Sequence, residues 1–91
     1  MGLLPPLPKP YGVRCEDGFI DMAVALVGTI QLWDDIQQNF DLNLCRRPDY
    51  GERIVDDLYG LLVYAPGGDI VVYYHVDDGA QMIELVEIHR V

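Results

Sequence analysis

The sequence predicts an α+β fold, in which a helical hairpin packs on one face of an antiparallel β-sheet. Two observations lead to this prediction. Apolar residues recur at helical spacing between residues 16 and 40. Three segments rich in β-branched and aromatic residues follow between residues 58 and 89, and glycine-bearing turns separate them. A short segment before the helices supplies one more strand, so the predicted element order is βααβββ.

The first predicted elements are a strand over residues 11–15 and a helix that follows it at once. Glu16 and Asp17 place negative charge at the start of this helix, where the helix dipole stabilises it. One side of the helix is apolar with i, i+3, i+4, i+7 spacing and is therefore predicted to be buried. Its residues are Phe19, Met22, Ala23 and Leu26.

A second helix is predicted to run antiparallel to the first after a tight turn. Gly28 interrupts the first helix, and Thr29 is a residue type that caps helix N-termini. The apolar residues of this second helix also recur with helical spacing. Those predicted to face the core are Ile30, Trp33, Ile36 or Gln37, and Phe40.

The last third of the chain is predicted to form three consecutive antiparallel strands, over residues 58–65, 70–76 and 81–89. The turns between them contain Pro66-Gly67-Gly68 and Asp77-Asp78-Gly79, and the second of these is a strong hairpin signal. Residues 41–55 are rich in polar side chains, so they are predicted to form the loop that leads into the strands.

Residues 1–10 are predicted to form a proline-rich arm ahead of a single domain over residues 11–91. Four of these ten residues are prolines, which fix φ and remove backbone donors, so the arm is expected to be extended. Such an arm either packs on its own domain, stays free of it, or docks into an aromatic-lined groove on a partner.

The chain is small and strongly acidic. Its 91 residues suit one domain with a single core, and a hydrophobic content of 51% excludes disorder by composition. Fifteen acidic residues against six basic ones give a net charge of −9. Because such a surface repels a phosphate backbone, nucleic-acid binding is disfavoured and a basic partner is favoured.

No sequence signal for secretion or membrane insertion is present. The N-terminus lacks a basic segment, its prolines interrupt the apolar run, and the longest apolar stretches are too short to span a bilayer. We therefore expect a cytoplasmic protein in which Cys15 and Cys45 are reduced thiols, with a disulfide between them as the alternative. The sequence has no pattern typical of a metal site, a cofactor site or a phosphate loop, so none is expected.

Three short strand segments carry a family resemblance. They run from Leu58 to Ala65, from Gly68 to Tyr74 and from Ile88 to Arg90, with an acidic turn before the last strand. The sequences of these segments resemble those of the RelE/ParE toxin superfamily, which comprises mRNA endonucleases and gyrase poisons of bacterial toxin–antitoxin pairs. The likeness covers residues 11–91. It implies a strand, a helical hairpin and an antiparallel meander, and it implies a cognate antitoxin whose helix lies in a groove of the toxin.

The same resemblance implies which residues would act on RNA. The family's motif at the end of the last strand is matched here by His89 and Arg90 alone. Arg53 lies in a loop where the family often keeps a basic residue. These three are therefore the candidate catalytic residues. The candidate binding residues have aromatic, imidazole or guanidinium side chains. They are Tyr64, Tyr73, His75, Arg46 and Arg47.

Structural alternatives exist for these residues, and the family's arginines are missing. His89 could be a hydrogen-bonded structural residue, and Arg90 could pair with Glu87 or a nearby aspartate. The family's recurring arginines fall on Val63, Ala65 and Val71, where this chain has apolar side chains. Those positions offer no fixed positive charge to the transition state of phosphate chemistry.

Three functional hypotheses follow. The first is a RelE/ParE-like toxin–antitoxin protein that is weakly active or inactive as an mRNA endonuclease and acts by binding a cognate antitoxin, another protein or a second copy of itself. The second is an acidic mimic of nucleic acid that blocks a basic enzyme surface. The third is an active ribosome-dependent mRNA interferase that borrows positive groups from the ribosome.

Overall fold

The computed structural model describes residues 11–65 and 67–91, without the side chain of Phe40. The predicted arm of residues 1–10 therefore lies outside the described part of the chain. Within that part, the elements are β1 (Gly12–Cys15), α1 (Asp17–Val27), α2 (Ile30–Leu44), a short 3-10 helix (Pro48–Tyr50), β2 (Glu52–Val55), β3 (Leu58–Val63), β4 (Ile70–Asp77) and β5 (Met82–Arg90). The predicted α+β class is confirmed. Among the described helices, none is long and apolar enough to cross a membrane.

The five strands form one mixed sheet in the order β1-β5-β4-β3-β2. Strands β3, β4 and β5 form an antiparallel meander, as predicted, and β2 pairs antiparallel with β3. Strand β1 instead runs parallel to β5, with Gly12 opposite Met82 and Cys15 opposite Leu85. The predicted antiparallel sheet is thus antiparallel over four strands only. Most of the chain separates β1 from β5, so no hairpin turn fixes the direction of their pairing.

Strand β2 is an element that the predicted order lacks. It lies in the segment 41–55, which was expected to be a loop; the rest of that segment forms the end of α2 and the 3-10 helix. All four residues of β2 are exposed, and they are not alternately polar and apolar. A strand that buries neither face leaves no periodic signal in the sequence, which explains why it was missed.

Both helices pack on the same face of the sheet, as predicted. Ile70, Val72 and Tyr74 alternate along β4 and are fully buried, so the residues between them point to the other side of the sheet. We call the two sides the helix face and the open face. The remaining buried core residues are Phe19, Ala23, Val27, Trp33, Ile36, Leu44, Ile83, Leu85 and Ile88.

The helix boundaries were predicted more accurately than the buried stripes. Gly28 ends α1 at φ 104° with its amide donating to the Val24 carbonyl, and the Thr29 hydroxyl accepts from the Leu32 amide at 3.1 Å. Both predictions are confirmed. Two predictions of burial were wrong: Met22 is 47% exposed and Ile30 is 58% exposed.

Each of these two errors has its own explanation in the position of the residue on its helix. The buried stripe of α1 runs through Phe19, Ala23 and Val27, at i, i+4, i+8 spacing, which leaves Met22 at its margin. Ile30 is the first residue of α2. It precedes Trp33 and Ile36, which are the residues that meet the core.

Candidate functional site

The open face of the sheet brings His89 and Tyr73 together. Val71 lies opposite His89 and Tyr73 lies opposite Glu87 in the pairing of β4 with β5. The His89 ring meets the edge of the Tyr73 ring, with centroids 5.9 Å apart. The Nε2 atom of His89 lies 2.9 Å from a carboxylate oxygen of Glu87. His89 is therefore held between an aromatic ring and a carboxylate, both on an exposed surface.

Two further side-chain pairs lie on the same face. Nδ1 of His75 is 3.2 Å from a carboxylate oxygen of Asp57, and Nε of Arg14 donates to Glu84 at 3.0 Å. His75 lies directly opposite Glu84 in the sheet. His89, His75 and Arg14 thus each have a carboxylate partner, so these three side chains offer little free positive charge on the face.

Arg90 points to the opposite side of the sheet from His89, because neighbouring residues in a strand alternate. One of its nitrogens donates to the carbonyls of Gly67 and Gly68, at 2.9 and 3.1 Å. Another donates to the carbonyl of Leu26 in the last turn of α1. Arg90 therefore bridges a turn and a helix C-terminus, where positive charge is favourable. Glu87, the partner considered for it, bonds His89 instead.

Arg53 lies at the far edge of the sheet. Its Nε donates to the backbone carbonyl of Asp56 at 2.8 Å, across the turn that joins β2 to β3. Strand β2 is three strand spacings from β5, which corresponds to about 14 Å. The structure thus places the candidate catalytic residues His89, Arg90 and Arg53 at three separate locations.

Two of the candidate binding residues lie on the same face of one strand. Tyr73 and His75 lie two residues apart on the open face of β4. Tyr64 lies just beyond β3 and is 79% exposed. Arg46 and Arg47 follow α2 and are exposed, and neither side chain bonds another described residue.

The positions of the family's arginines also divide between the two faces. Val63 and Ala65 pack against the core on the helix face. Val71 lies on the open face, opposite Leu62 and His89. Of the three positions, only Val71 therefore faces the surface that holds His89.

Two adjoining grooves lie where the β2–β3 turn meets the β4–β5 turn. Each has a volume of roughly 400 Å³, and Asp57, Val76 and Asp78 line both. The amide of Val76 donates to the carbonyl of Asp57 and joins the two turns. The carboxylates that line the grooves are Asp49, Asp56, Asp57, Asp77, Asp78 and Glu84. The sequence signal for this acidic end is two pairs of adjacent aspartates, Asp56-Asp57 in the segment before β3 and Asp77-Asp78 at the predicted hairpin turn.

The two thiols lie near a partly buried carboxylate, that of Asp41. Cys15 and Cys45 are free and partly buried. Burial raises the pKa of both thiols, and the negative charge of Asp41 raises it further. Burial also raises the pKa of Asp41, whose Oδ1 is buried without a hydrogen-bond partner among the described residues. Thiols in such surroundings stay protonated and are poor nucleophiles.

Within residues 11–65 and 67–91, no group of three or more histidine, cysteine or acidic side chains is arranged to hold a metal ion.

Tyr11, at the start of the described chain, donates to the carboxylate of Asp78 at 2.6 Å, and this bond raises the pKa of the phenol. One of the carboxylates that line both acidic grooves, that of Asp78, thus already accepts a hydrogen bond from its own chain.

Comparison with known proteins identifies the fold. No protein-family model and no curated protein matches the sequence. A mutant RelE toxin of Escherichia coli in the free state matches with a TM-score of 0.68 and 11% identity, over 89% of this chain and 83% of the other. The intact RelBE toxin–antitoxin complex of Escherichia coli gives a TM-score of 0.67 and 11% identity, over 89% and 96%. The RelBE2 toxin–antitoxin complex of Mycobacterium tuberculosis gives 0.65 and 15%, over 90% and 92%.

These comparisons establish an α+β domain of RelE type. The chain has the fold of RelE toxins, and the resemblance predicted from its strand sequences is confirmed at the level of the fold.

Proposed function

We propose that this chain is a RelE-like protein of a bacterial toxin–antitoxin pair that has little or no endonuclease activity and acts by binding another protein. The observation that supports it most directly is the separation of the candidate catalytic residues. His89 lies on the open face, Arg90 on the helix face and Arg53 at the far edge of the sheet.

The electrostatics of the chain support the same proposal. Cleavage of an RNA backbone needs fixed positive donors near the phosphate, and each is worth about 3 kcal/mol in the transition state. The Arg53 and Arg90 side chains donate to backbone carbonyls, and His89 bonds a carboxylate. The net charge of −9 adds repulsion of the substrate.

A cognate antitoxin is the proposed partner, in the bacterial cytoplasm. Two of the similar structures are toxin–antitoxin complexes, and the fold that they share with this chain motivates the analogy. Association with a second copy is the alternative. Sedimentation of the purified chain over a range of concentrations distinguishes the two, because only self-association changes the mass of the chain alone.

Induced expression of this chain in a bacterial culture tests the proposal. We expect growth to continue and total mRNA to stay intact. Growth arrest with cleavage at defined codon positions would contradict the proposal, provided that His89→Ala abolishes the cleavage. Arg14→Ala is the matched control, because Arg14 also lies on the open face and also pairs with a carboxylate.

The acidic grooves favour a second candidate, a protein that mimics nucleic acid and blocks a basic enzyme surface. Six carboxylates line the two grooves. Binding of this kind should weaken steeply with salt, because it depends on attraction between opposite charges. An affinity for a basic partner that is equal at low and high salt would count against this candidate.

A further inference from the structure

We propose that an extended, basic segment of a partner protein adds to the sheet as a sixth strand along the outer edge of β2. This inference rests on the proposed function, because it names the surface through which the chain would bind a protein. Strand β2 is last in the sheet order, so one of its edges faces no described strand. An unpaired strand edge presents backbone donors and acceptors to an extended peptide.

The side chains around this edge are unusually apolar for an exposed surface. All four residues of β2 are exposed, with Ile54 at 53% and Val55 at 55%. Ten large apolar residues are exposed in the described chain, and five of them lie between residues 50 and 64. Those five are Tyr50, Ile54, Val55, Leu62 and Tyr64. A strand with alternating apolar residues would cover part of this surface on adding to the edge.

The charge next to the edge specifies a basic segment. Glu52 lies in β2, and the groove beside β2 is lined by Asp49, Asp56 and Asp57. Arg53 is the only basic residue of β2, and its Nε donates to the carbonyl of Asp56. Asp57 already pairs with His75. Lysine or arginine side chains on an added strand would therefore meet chiefly the other three carboxylates, and little competing positive charge.

A second copy of this chain fits the edge poorly. Two β2 strands that pair antiparallel about a two-fold axis centred on Ile54 place Glu52 opposite Asp56 of the second copy. An axis centred on Arg53 places the two guanidinium groups opposite each other. Like charges directly opposite in a sheet are destabilising. In both of these registers the charges disfavour self-pairing, whereas a segment of a different chain can carry the complementary charge.

A peptide titration followed by amide chemical shifts tests the proposal. The probe is a capped decapeptide of alternating valine and lysine, added to the full chain labelled with nitrogen-15. We expect the largest shifts at the amides of β2. A valine–glutamate peptide of the same length should not bind. A valine–lysine peptide with alternate amides methylated keeps the charge but loses half its donors, and should bind about tenfold more weakly.

A matched pair of variants separates edge pairing from attraction to the acidic surface at large. Ile54→Lys and Leu42→Lys add the same charge at exposed positions, on β2 and on α2. Both substitutions should weaken binding of the basic peptide to the same extent by charge repulsion. Only Ile54→Lys, on the edge strand, should weaken it further. Shifts confined to the β4–β5 turn, or equal binding of the methylated peptide, would overturn the proposal. Growth arrest on expression would contradict the proposed function alone, because this titration does not depend on nuclease activity.

Discussion

The hydroxyl of Tyr74 accepts a hydrogen bond from the amide of Gly51 at 2.9 Å. The same hydroxyl donates to the carbonyl of Pro48 at 2.8 Å. Tyr74 is fully buried in the middle strand of the sheet, and burial raises its pKa to about 12, so the donated proton is retained at neutral pH. One core side chain thus fixes the segment that leads into β2, and with it the exposed edge.

Removal of this hydroxyl should destabilise the fold. Tyr74→Phe leaves the Gly51 amide and the Pro48 carbonyl without their partner, which costs about 1–3 kcal/mol for buried groups. Urea unfolding measures the loss. Tyr73→Phe is the matched control, because the neighbouring hydroxyl on the open face bonds no described residue, and it should change stability by less than about 0.5 kcal/mol. Equal losses in the two variants would contradict the prediction.

The close approach at Gly51 should make this position intolerant of a side chain. A Cβ there would lie 2.6 Å from the Gly60 carbonyl oxygen and 2.7 Å from the Tyr74 hydroxyl oxygen. We expect Gly51→Ala to lower the free energy of unfolding by about 1–3 kcal/mol, as overpacking does. Thermal unfolding measures the change.

The control for Gly51→Ala is the same substitution at an open position. A Cβ at Gly18, in the first turn of α1, meets no atom within 4 Å. Gly18→Ala should leave stability unchanged or raise it by up to about 1 kcal/mol through helix propensity. A Gly51→Ala protein as stable as the Gly18→Ala protein would show that the surrounding backbone yields to the added methyl group.

The sequence was most informative where local chemistry decides the structure. Gly28 and Thr29 marked the junction of the helices correctly because a positive φ and a side-chain cap each favour particular residue types. Strand β2 could not be predicted in the same way. Its four exposed residues owe their extended conformation to pairing with β3 and to the fixed segment before it, and both depend on tertiary structure.

Part of the site could have been predicted more accurately from strand periodicity alone. His89 and Arg90 are adjacent in a strand, so they must face opposite sides of the sheet. Glu87 and His89 are two residues apart, so they share a face, and they form a hydrogen-bonded pair. The pairing of His75 with Asp57 joins β4 to the turn between β2 and β3, and no local pattern in the sequence encodes it.

Arg90 should contribute to stability through its bonds to carbonyls. Arg90→Ala removes donors to Leu26, Gly67 and Gly68, and we expect a loss of about 1 kcal/mol. Arg90→Lys keeps the charge without the planar fork, so it should recover only part of the loss. Urea unfolding compares both with Arg46→Ala, a matched control at an exposed arginine. An Arg90→Ala protein as stable as the Arg46→Ala protein would favour a role outside the fold.

Asp41 should make the stability of the protein depend on pH. Burial raises the pKa of its carboxyl group, and one oxygen has no hydrogen-bond partner among the described residues. In the unfolded chain the pKa returns to its ordinary value. The folded state then binds the proton more tightly, so stability falls as pH rises from the ordinary carboxyl range through the raised pKa. At neutral pH the ionised carboxylate therefore opposes folding.

Asp41→Asn removes this titration, so the variant should be more stable than the original chain at neutral pH. The advantage should shrink at an acidic pH within the ordinary carboxyl range, because the raised pKa makes the folded chain take up its proton before the unfolded chain does. Asp34→Asn is the matched control, because Asp34 is an exposed aspartate on the same helix and its removal changes the net charge equally. Urea unfolding at both pH values measures the two differences. If Asp41→Asn gave the same difference at both pH values, or no more than Asp34→Asn gives, burial of this carboxylate would not be the cause.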